Sequence, residues 1–286
     1  MNPLATDREI TILLARQRSG TNALRQILGS HPAIFCTPEV FHARPALESG
    51  TGLAERVNFF RFLARNPERY VARAVSPERQ AALFETFLGF VARTTARPHV
   101  VIDVKYNSTH HFDGPWQIAA TGPAFLGLVK QHGLRVLRLT RENHLRYYLS
   151  STKARLTRDW VGKPASGDAV LKLDVGEMLR VLEQCQREDA VIDRALGGYP
   201  ELIAVEYADL FPVNDGPPAR EPLARIANWL SVDPDLLDGV PKLRKQSSLP
   251  LSETIENYAE VEVALRGTPF ERFLADEPCY RVERQA

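Results

Sequence analysis

A stretch near the N-terminus, residues 9–30, restricts the fold more than any other part of the chain. Its strand-like run is apolar and rich in β-forming residues: Ile10, Ile12, Leu13 and Leu14. Such a run is typical of a strand buried in a parallel sheet. Apolar residues then recur at helical spacing at Leu24, Ile27 and Leu28. A buried strand, a tight polar loop and a helix in this order predict the first unit of an α/β fold.

The loop of this unit has a composition that suits the binding of an anion. Backbone N–H groups at the start of a helix lie at the positive end of the helix dipole. Arg16 and Arg18 add fixed positive charge, and Ser19, Thr21 and Asn22 add short hydrogen-bonding side chains. The alternative interpretation is an ordinary strand–helix turn in which Ser19 or Thr21 is the N-cap residue.

The same loop departs from the Walker A pattern, which is G-x-x-x-x-G-K followed by Ser or Thr. Ala15 stands at the first glycine position, Gly20 at the second, Thr21 at the lysine position and Asn22 at the position of the magnesium ligand. The lysine and the metal ligand are therefore both missing. The pattern predicts a phosphate-binding loop without a metal and counts against a kinase or an ATPase.

Composition and charge narrow the class of protein further. The chain has 286 residues, 44% of them hydrophobic and 25% charged, with a net charge of +1. These values are typical of globular proteins, and the near-neutral balance argues against broad nucleic-acid binding. No run approaches the ~20 apolar residues of a membrane span, and the N-terminus lacks the apolar core of a signal peptide. Three cysteines without a C-x-x-C pair fit the reducing cytoplasm and indicate no metal site.

Strand-like segments alternate with helical segments along the chain. After the first strand, such segments lie at 33–37, 100–104, 134–140 and 201–206. The alternation predicts an α/β fold with a central, mostly parallel sheet of about five strands flanked by helices. Strand order is not derivable from the sequence. We expect a single domain over residues 1–286.

A helical insertion is predicted at about residues 53–96 of this domain. It is rich in phenylalanine, with Phe59, Phe60, Phe62, Phe84 and Phe87 at helical spacing. An aromatic stripe of this kind forms the hydrophobic core more often than it lines a binding pocket. A pocket for an acceptor molecule remains the alternative.

Polar side chains follow the predicted strands at their carboxyl ends, where open α/β sheets place their binding sites. Glu39 and His42 follow the second strand, and either is a candidate general base; a helix cap and a surface residue are the simpler interpretation. Lys105 ends the third strand, which favours a nearby anion unless the side chain reaches solvent. Arg141 ends the fourth strand, and Ser150 lies nine residues further on. A guanidinium and a hydroxyl group together suit a phosphate group.

These motifs resemble those of sulfotransferases that use 3′-phosphoadenylyl sulfate (PAPS). R-S-G-T-N at 18–22 is similar to their 5′-phosphosulfate loop, and Pro38-Glu39 is similar to a Pro-Glu pair that follows it in many members. Arg141 with Ser150, or with Ser151 as the fallback, resembles their 3′-phosphate pair. Further similarities lie in D-V-K-Y-N at 103–107 and in the K-Q-S-S-L-P-L-S segment that begins at 245, and a weaker one lies in E-Y-A-D-L at 206–210.

The resemblance implies a P-loop-like sulfotransferase with PAPS as the co-substrate, its desulfated form PAP as the product, and no metal. The residues that it implies for nucleotide binding are Arg18, Ser19, Gly20, Thr21, Asn22, Arg141, Ser150, Tyr207 and Lys245. Those that it implies for catalysis are Glu39 as the base with His42 as second candidate, Arg18 at the leaving group, and Lys105 at the sulfuryl oxygens or the acceptor.

The resemblance implies an acceptor hydroxyl or amine on a small molecule, a glycan or a lipid. No nucleic-acid partner and no transmembrane segment are expected, and the oligomeric state is not indicated. Two alternatives stay open: a kinase- or NTPase-like protein with a degenerate P-loop, and a PAP-binding module without catalytic activity. His110 and His111 are not expected to bind a metal, because neighbours on an extended segment point in opposite directions.

Overall fold

The structure, a computed structural model, describes residues 7–42, 53–72, 76–113, 122–157, 170–211, 218–238 and 249–275. Its sheet consists of five parallel strands: β1 (Glu9–Ala15), β2 (Ile34–Glu39), β3 (His99–Lys105), β4 (Arg135–Thr140) and β5 (Leu202–Glu206). Their order across the sheet is β2-β3-β1-β4-β5, so β1 is the central strand. The predicted α/β fold with a mostly parallel sheet of about five strands is confirmed.

Helices flank the sheet along the whole described chain. Those before β4 are α1 (Thr21–Ser30), α2 (Leu53–Val57), α3 (Phe59–Arg65), α4 (Pro67–Ala72), α5 (Pro77–Ala92), α6 (His110–Asp113) and α7 (Ala124–Gln131). Those after β4 are α8 (His144–Thr157), α9 (Val175–Leu196), α10 (Tyr207–Leu210), α11 (Arg220–Trp229), α12 (Leu251–Thr254) and α13 (Tyr258–Leu265). Within the described ranges, none of these helices combines the length and the apolar character that crossing a membrane requires.

Strand register brings the carboxyl ends of the three central strands to one line. In β1, Ala15 pairs with Lys105 of β3 on one side and with Leu139 of β4 on the other. Because all strands run in the same direction, the residues that follow each strand emerge at one edge of the sheet. The residues that follow these strands therefore meet there, although the paired strand ends Ala15, Lys105 and Leu139 lie 34 to 124 positions apart along the chain.

Two element boundaries differ from the sequence prediction by two residues, and contacts in the structure explain both. Strand β2 continues past residue 37 to Glu39, because Glu39 still pairs with Asp103 and the Val40 N–H donates to the Asp103 carbonyl at 3.1 Å. Helix α8 begins at His144 rather than near Glu142. Asn143 is the N-cap residue, because its Oδ1 accepts a hydrogen bond from the Arg146 N–H at 2.9 Å. The Glu142 N–H lies before this cap and donates to a side chain at the end of β5, at 2.8 Å.

The phenylalanines of the segment between β2 and β3 lie in the hydrophobic core. Phe59, Phe84 and Phe87 are at most 1% exposed, and Phe62 is 4% exposed. Their rings pack edge to face with neighbours, for example Phe59 on Phe87 with ring centres 5.0 Å apart. Phe60 is half-buried. The structure therefore favours the core interpretation over an acceptor pocket lined by this stripe.

This packing makes the aromatic cluster a large contributor to stability. Phe87→Ala leaves a cavity among several rings, so we expect the free energy of unfolding to fall by about 3–5 kcal/mol. The half-buried Phe60 provides the control, and Phe60→Ala is expected to cost less than about 2 kcal/mol. Urea denaturation of both variants measures the difference. Equal losses would contradict the assignment of Phe87 to the core.

Candidate functional site

The loop between β1 and α1 has an unusual backbone. Arg18 and Gly20 both adopt the left-handed region, with φ of 63° and 84°. Gly20 is the N-cap residue and makes no side-chain cap, so the alternative interpretation, an ordinary turn capped by Ser19 or Thr21, is wrong. A Cβ atom at Gly20 would lie 2.6 Å from the ring of Tyr207, so this close approach requires glycine.

Side chains of this loop point to different surroundings. The Ser19 hydroxyl is buried and has no hydrogen-bond partner among the described residues. A buried hydroxyl without a partner costs free energy unless a ligand or a water molecule satisfies it. The Thr21 hydroxyl accepts a hydrogen bond from Lys105 Nζ at 2.7 Å, whereas Asn22 is exposed at the start of α1. No acidic residue lies in the first turn of α1, which leaves its positive end available to an anion.

The predicted phosphate-binding residues from distant parts of the chain meet at this loop. Arg18 Nε donates to Ser150 Oγ at 3.1 Å, and Arg141 Nη1 donates to the Arg18 carbonyl at 3.3 Å. The Arg141 guanidinium lies over the ring of Tyr207, 4.6 Å from its centre. Tyr207 therefore lies between Gly20 and Arg141. The structure brings together four side chains that the sequence separates by up to 189 positions, from Arg18 to Tyr207.

The structure distinguishes the two candidate serines, Ser150 and Ser151, by their contacts. Ser150 contacts Arg18, whereas Ser151 hydrogen-bonds to Tyr147 on the same helix. Of the two, Ser150 is thus the residue that faces the loop. Lys245 lies outside the described residues.

Lys105 is buried and has protein partners. Its ammonium group forms an ion pair with Asp103, and it donates to the Thr21 hydroxyl. Asp103 in turn accepts from Arg25 of α1 at 3.1 Å. One buried carboxylate thus joins strand β3 to helix α1 directly below the loop. These protein partners explain why Lys105 can be buried. Neither of the two expectations from the sequence, a side chain that reaches solvent or a bound anion beside it, is required.

Arg16 points away from the loop, which the sequence does not reveal. Its guanidinium is 5% exposed and forms ion pairs with Glu188 and Asp189 of α9. It also lies over the rings of Tyr106 and Tyr147, at 5.0 and 5.4 Å from their centres. Of the two arginines that the loop contributes, Arg18 therefore faces the candidate site and Arg16 stabilises the fold beneath it.

Asp189 joins the ends of three neighbouring strands. It accepts hydrogen bonds from Arg16 after β1 at 2.8 Å, from Tyr106 after β3 at 2.6 Å and from His144 after β4 at 2.8 Å. Burial by itself would raise the pKa of Asp189. The hydrogen bond from His144, the charge of Arg16 and the hydrogen bond from Tyr106 outweigh burial and lower the pKa to about 2. Asp189 is thus an ionised residue that sequence reasoning missed, since its position on a long helix gives no signal.

The two candidate bases lie at the end of β2. Glu39 is 5% exposed, and its carboxylate accepts a hydrogen bond from Ser108 Oγ at 3.1 Å. His42 is half-buried, and its backbone carbonyl accepts from Asn58 Nδ2 at 2.8 Å. Ser108 follows β3, so the Glu39 carboxylate links the ends of two adjacent strands. It is the second link of this kind at the same edge of the sheet.

The adjacent histidines of α6 were expected on an extended segment, and that expectation is wrong. His110 and His111 begin a short helix, and their ring centres lie 3.9 Å apart rather than on opposite sides. Among the residues that the structure describes, no group of three or more His, Cys, Asp or Glu side chains is arranged to hold a metal.

Comparisons with known proteins agree with the predicted resemblance. The sequence profile of the sulfotransferase family matches residues 11–121, a range that includes the β1–α1 loop, Glu39 and Lys105. The resemblance to sulfotransferases is confirmed. No curated protein matches the chain at a significant level. A sulfotransferase from Alicyclobacillus acidocaldarius is similar at 14% identity and a TM-score of 0.44, over 96% of this chain and 99% of that one. So weak a structural similarity carries no conclusion about function.

The three hydrogen bonds that the Asp189 carboxylate accepts predict a pH-dependent contribution to stability. Asp189→Asn keeps the shape and removes the charge, so we expect a loss of about 2 kcal/mol in unfolding free energy at neutral pH. Because folding lowers the pKa of Asp189, the wild type loses this contribution as the pH falls from about 4 towards 2. Urea unfolding should therefore show a gap between wild type and variant that narrows in acid.

The control is Glu183→Gln, which removes an exposed carboxylate from the same helix, one that pairs with Arg187 at 3.5 Å. This surface pair is expected to contribute less than about 1 kcal/mol at any pH. If the difference in unfolding free energy between wild type and Asp189→Asn stays constant down to about pH 2.5, the claim that Asp189 stabilises the fold in its ionised form is contradicted.

Proposed function

We propose that this chain, whose residues 11–121 match the sulfotransferase family, transfers a sulfuryl group from PAPS to a hydroxyl or amine of an acceptor. The observation that carries the proposal is the convergence of Arg18, Arg141 and Ser150 on the loop between β1 and α1. Two guanidinium groups and a hydroxyl, next to the positive end of a helix, form a donor set for phosphate oxygens. The acceptor is a small molecule, a glycan or a lipid.

The loop residues fit the 5′-phosphosulfate end of PAPS. The buried Ser19 hydroxyl has no protein partner among the described residues, and a ligand oxygen within reach would satisfy it. Gly20 lets the chain enter α1 without a side-chain cap, which leaves the first N–H groups of the helix for a ligand. Arg18 provides a positive charge beside these donors. When bound, PAPS supplies the activated sulfuryl group.

Arg141 and Ser150 are the proposed residues for the 3′-phosphate. Arg141 is held by the ring of Tyr207 and by the Arg18 carbonyl, so its guanidinium loses little further freedom on binding. A dianionic phosphate gains two parallel hydrogen bonds from such a group. This selects a 3′-phosphorylated nucleotide over ATP or AMP, which lack that phosphate.

Glu39 is the proposed general base. Its carboxylate is buried and oriented by the hydroxyl of Ser108. As the acceptor oxygen or nitrogen forms its bond to sulfur, Glu39 takes the proton that the acceptor loses, and the bond from sulfur to the phosphate oxygen breaks. Arg18 stabilises the negative charge that remains on that phosphate. His42 is the second candidate for the base.

Lys105 has a supporting role in this proposal. Its ammonium group holds the Thr21 hydroxyl, and Asp103 neutralises its charge. A direct contact with the sulfuryl oxygens would require Lys105 to leave Asp103, which is buried and would then keep only Arg25 as an ion-pair partner. We therefore assign Lys105 to holding the start of α1 in place.

Thermal unfolding with nucleotides tests the proposal. A ligand that binds only the folded state raises the melting temperature by mass action. We expect a clear rise with PAP, little change with AMP, and no dependence on magnesium. A rise with Mg-ATP but not with PAP would instead support the kinase-like alternative. Binding of PAP without transfer to any member of an acceptor panel would support a non-catalytic PAP-binding module.

Arg141→Ala should separate the 3′-phosphate contact from the rest of the site. Loss of a charge-assisted pair is expected to weaken PAP binding by about 1.5–3 kcal/mol, or roughly 10- to 100-fold. Titration calorimetry measures the dissociation constant. Arg187→Ala, at an exposed position on α9, is the control and should bind PAP like the wild type. Unchanged affinity of Arg141→Ala would remove this arginine from the nucleotide site.

Glu39→Gln should separate catalysis from binding. The amide cannot accept the proton, so we expect turnover of the acceptor found by screening to fall by about 10²- to 10⁴-fold. PAP affinity should stay within twofold of the wild type, since Glu39 lies at the acceptor side of the proposal. His42→Asn is the comparison. A normal rate for Glu39→Gln together with a lost rate for His42→Asn would transfer the role of base to His42.

A further inference from the structure

We infer that Glu206, the last residue of β5, is a positioning residue that holds Arg141 in the orientation needed for the 3′-phosphate. This inference rests on the proposed function and deepens it. It is based on three observations in the described residues: the hydrogen bonds of the Glu206 carboxylate, the non-helical path of the chain around Arg141, and the position of the neighbouring Tyr207.

The Glu206 carboxylate contacts the residues on both sides of Arg141. Thr140 Oγ1 donates to Glu206 Oε2 at 2.6 Å, and the Glu142 N–H donates to Glu206 Oε1 at 2.8 Å. Strands β4 and β5 are parallel and pair Thr140 with Glu206, so this register delivers the carboxylate to the end of β4. Glu206 is 9% exposed, which strengthens both hydrogen bonds.

These contacts determine how the chain leaves β4. The segment from Arg141 to Asn143 is neither strand nor helix, although its sequence predicts a helix from about Glu142. Glu206 binds the Glu142 N–H, which lies just before the cap of α8. Asn143 is that cap: its Oδ1 accepts from the Arg146 N–H at 2.9 Å, and the helix begins at His144. The Asn143 side chain fixes the other end of this segment, because it donates to the Phe273 carbonyl at 3.1 Å. The backbone of Arg141 is thereby held from both sides.

The residue after Glu206 holds the Arg141 side chain. The Tyr207 ring lies 4.6 Å from the Arg141 guanidinium and also covers Gly20 of the loop. Two consecutive residues of one chain segment thus orient the backbone and the side chain of the same arginine. Arg141 then reaches the Arg18 carbonyl, which connects the end of β5 to the loop.

Replacement of Glu206 tests the inference, with two variants that differ in hydrogen bonding. Glu206→Ala removes both contacts. Glu206→Gln retains them, because its amide oxygen accepts from the Glu142 N–H and its amide nitrogen donates to Thr140 Oγ1. Glu201→Ala is the control, since it removes a carboxylate just before the amino end of the same strand.

Dissociation constants for PAP and for AMP, which lacks the 3′-phosphate, are measured by titration calorimetry on all four proteins. We expect Glu206→Ala to weaken PAP roughly tenfold, the scale of a lost outer hydrogen-bonding partner, and AMP less than twofold. Glu206→Gln and Glu201→Ala should bind PAP within about twofold of the wild type. Thr140→Val, which removes one of the two contacts, should give an intermediate loss and serves if Glu206→Ala fails to fold.

The outcomes separate this inference from the proposed function. If the wild type binds PAP no more tightly than AMP, the 3′-phosphate site itself is wrong, and the inference fails with it. If the wild type prefers PAP but Glu206→Ala keeps the full preference, only the role of Glu206 is overturned. Equal weakening of PAP and AMP by Glu206→Ala would show general destabilisation of the site and would also overturn it.

Discussion

Carboxylates that join the carboxyl ends of neighbouring strands are the interactions on which the rest of this structure depends. Asp189 accepts hydrogen bonds from residues that follow β1, β3 and β4. Glu206 joins β4 to β5, and Glu39 with Ser108 joins β2 to β3. A parallel sheet leaves these ends without mutual hydrogen bonds, because its ladder stops where the strands stop. The side-chain hydrogen bonds hold the strand ends together beyond the ladder, at the edge of the sheet where the candidate site lies.

Acidic side chains also determine which positive charges of this edge are neutralised within the protein. Arg16 and Lys105 are buried and form ion pairs with acidic residues. Arg18 and Arg141 are half-buried and donate to neutral groups, the Ser150 hydroxyl and the Arg18 carbonyl. A buried cation without a counter-charge would be costly, so the acidic partners are required at the first two positions. Arg18 and Arg141, at the loop, are the two cations that the proposed function assigns to the anionic ligand.

Parts of this site were predictable because their signals are local. The run from Arg18 to Asn22 between a strand and a helix predicts an anion-binding loop from composition and order alone, and the loop is found there. Asp189 was not predictable, since one acid on a long amphipathic helix resembles any other. The N-cap at Gly20, beside the Tyr207 ring, was not predictable either, because sequence patterns do not show that contact. The phenylalanines of α3 and α5 were placed in the core by their spacing, and burial agrees for Phe59, Phe62, Phe84 and Phe87 but not for the half-buried Phe60.

The sequence by itself determined the α/β class, the approximate position of each strand and the sulfotransferase-like loop, because periodicity and turn composition act over a few neighbouring residues. Only the tertiary structure decided the strand order, which arginine of the loop faces the site, and which serine of α8 contacts Arg18. These outcomes depend on register and packing between segments far apart in the chain. Near the end of a strand, positions only two residues apart can face opposite environments. Arg16 contacts Asp189 beneath the loop, whereas Arg18 contacts Ser150 at the loop.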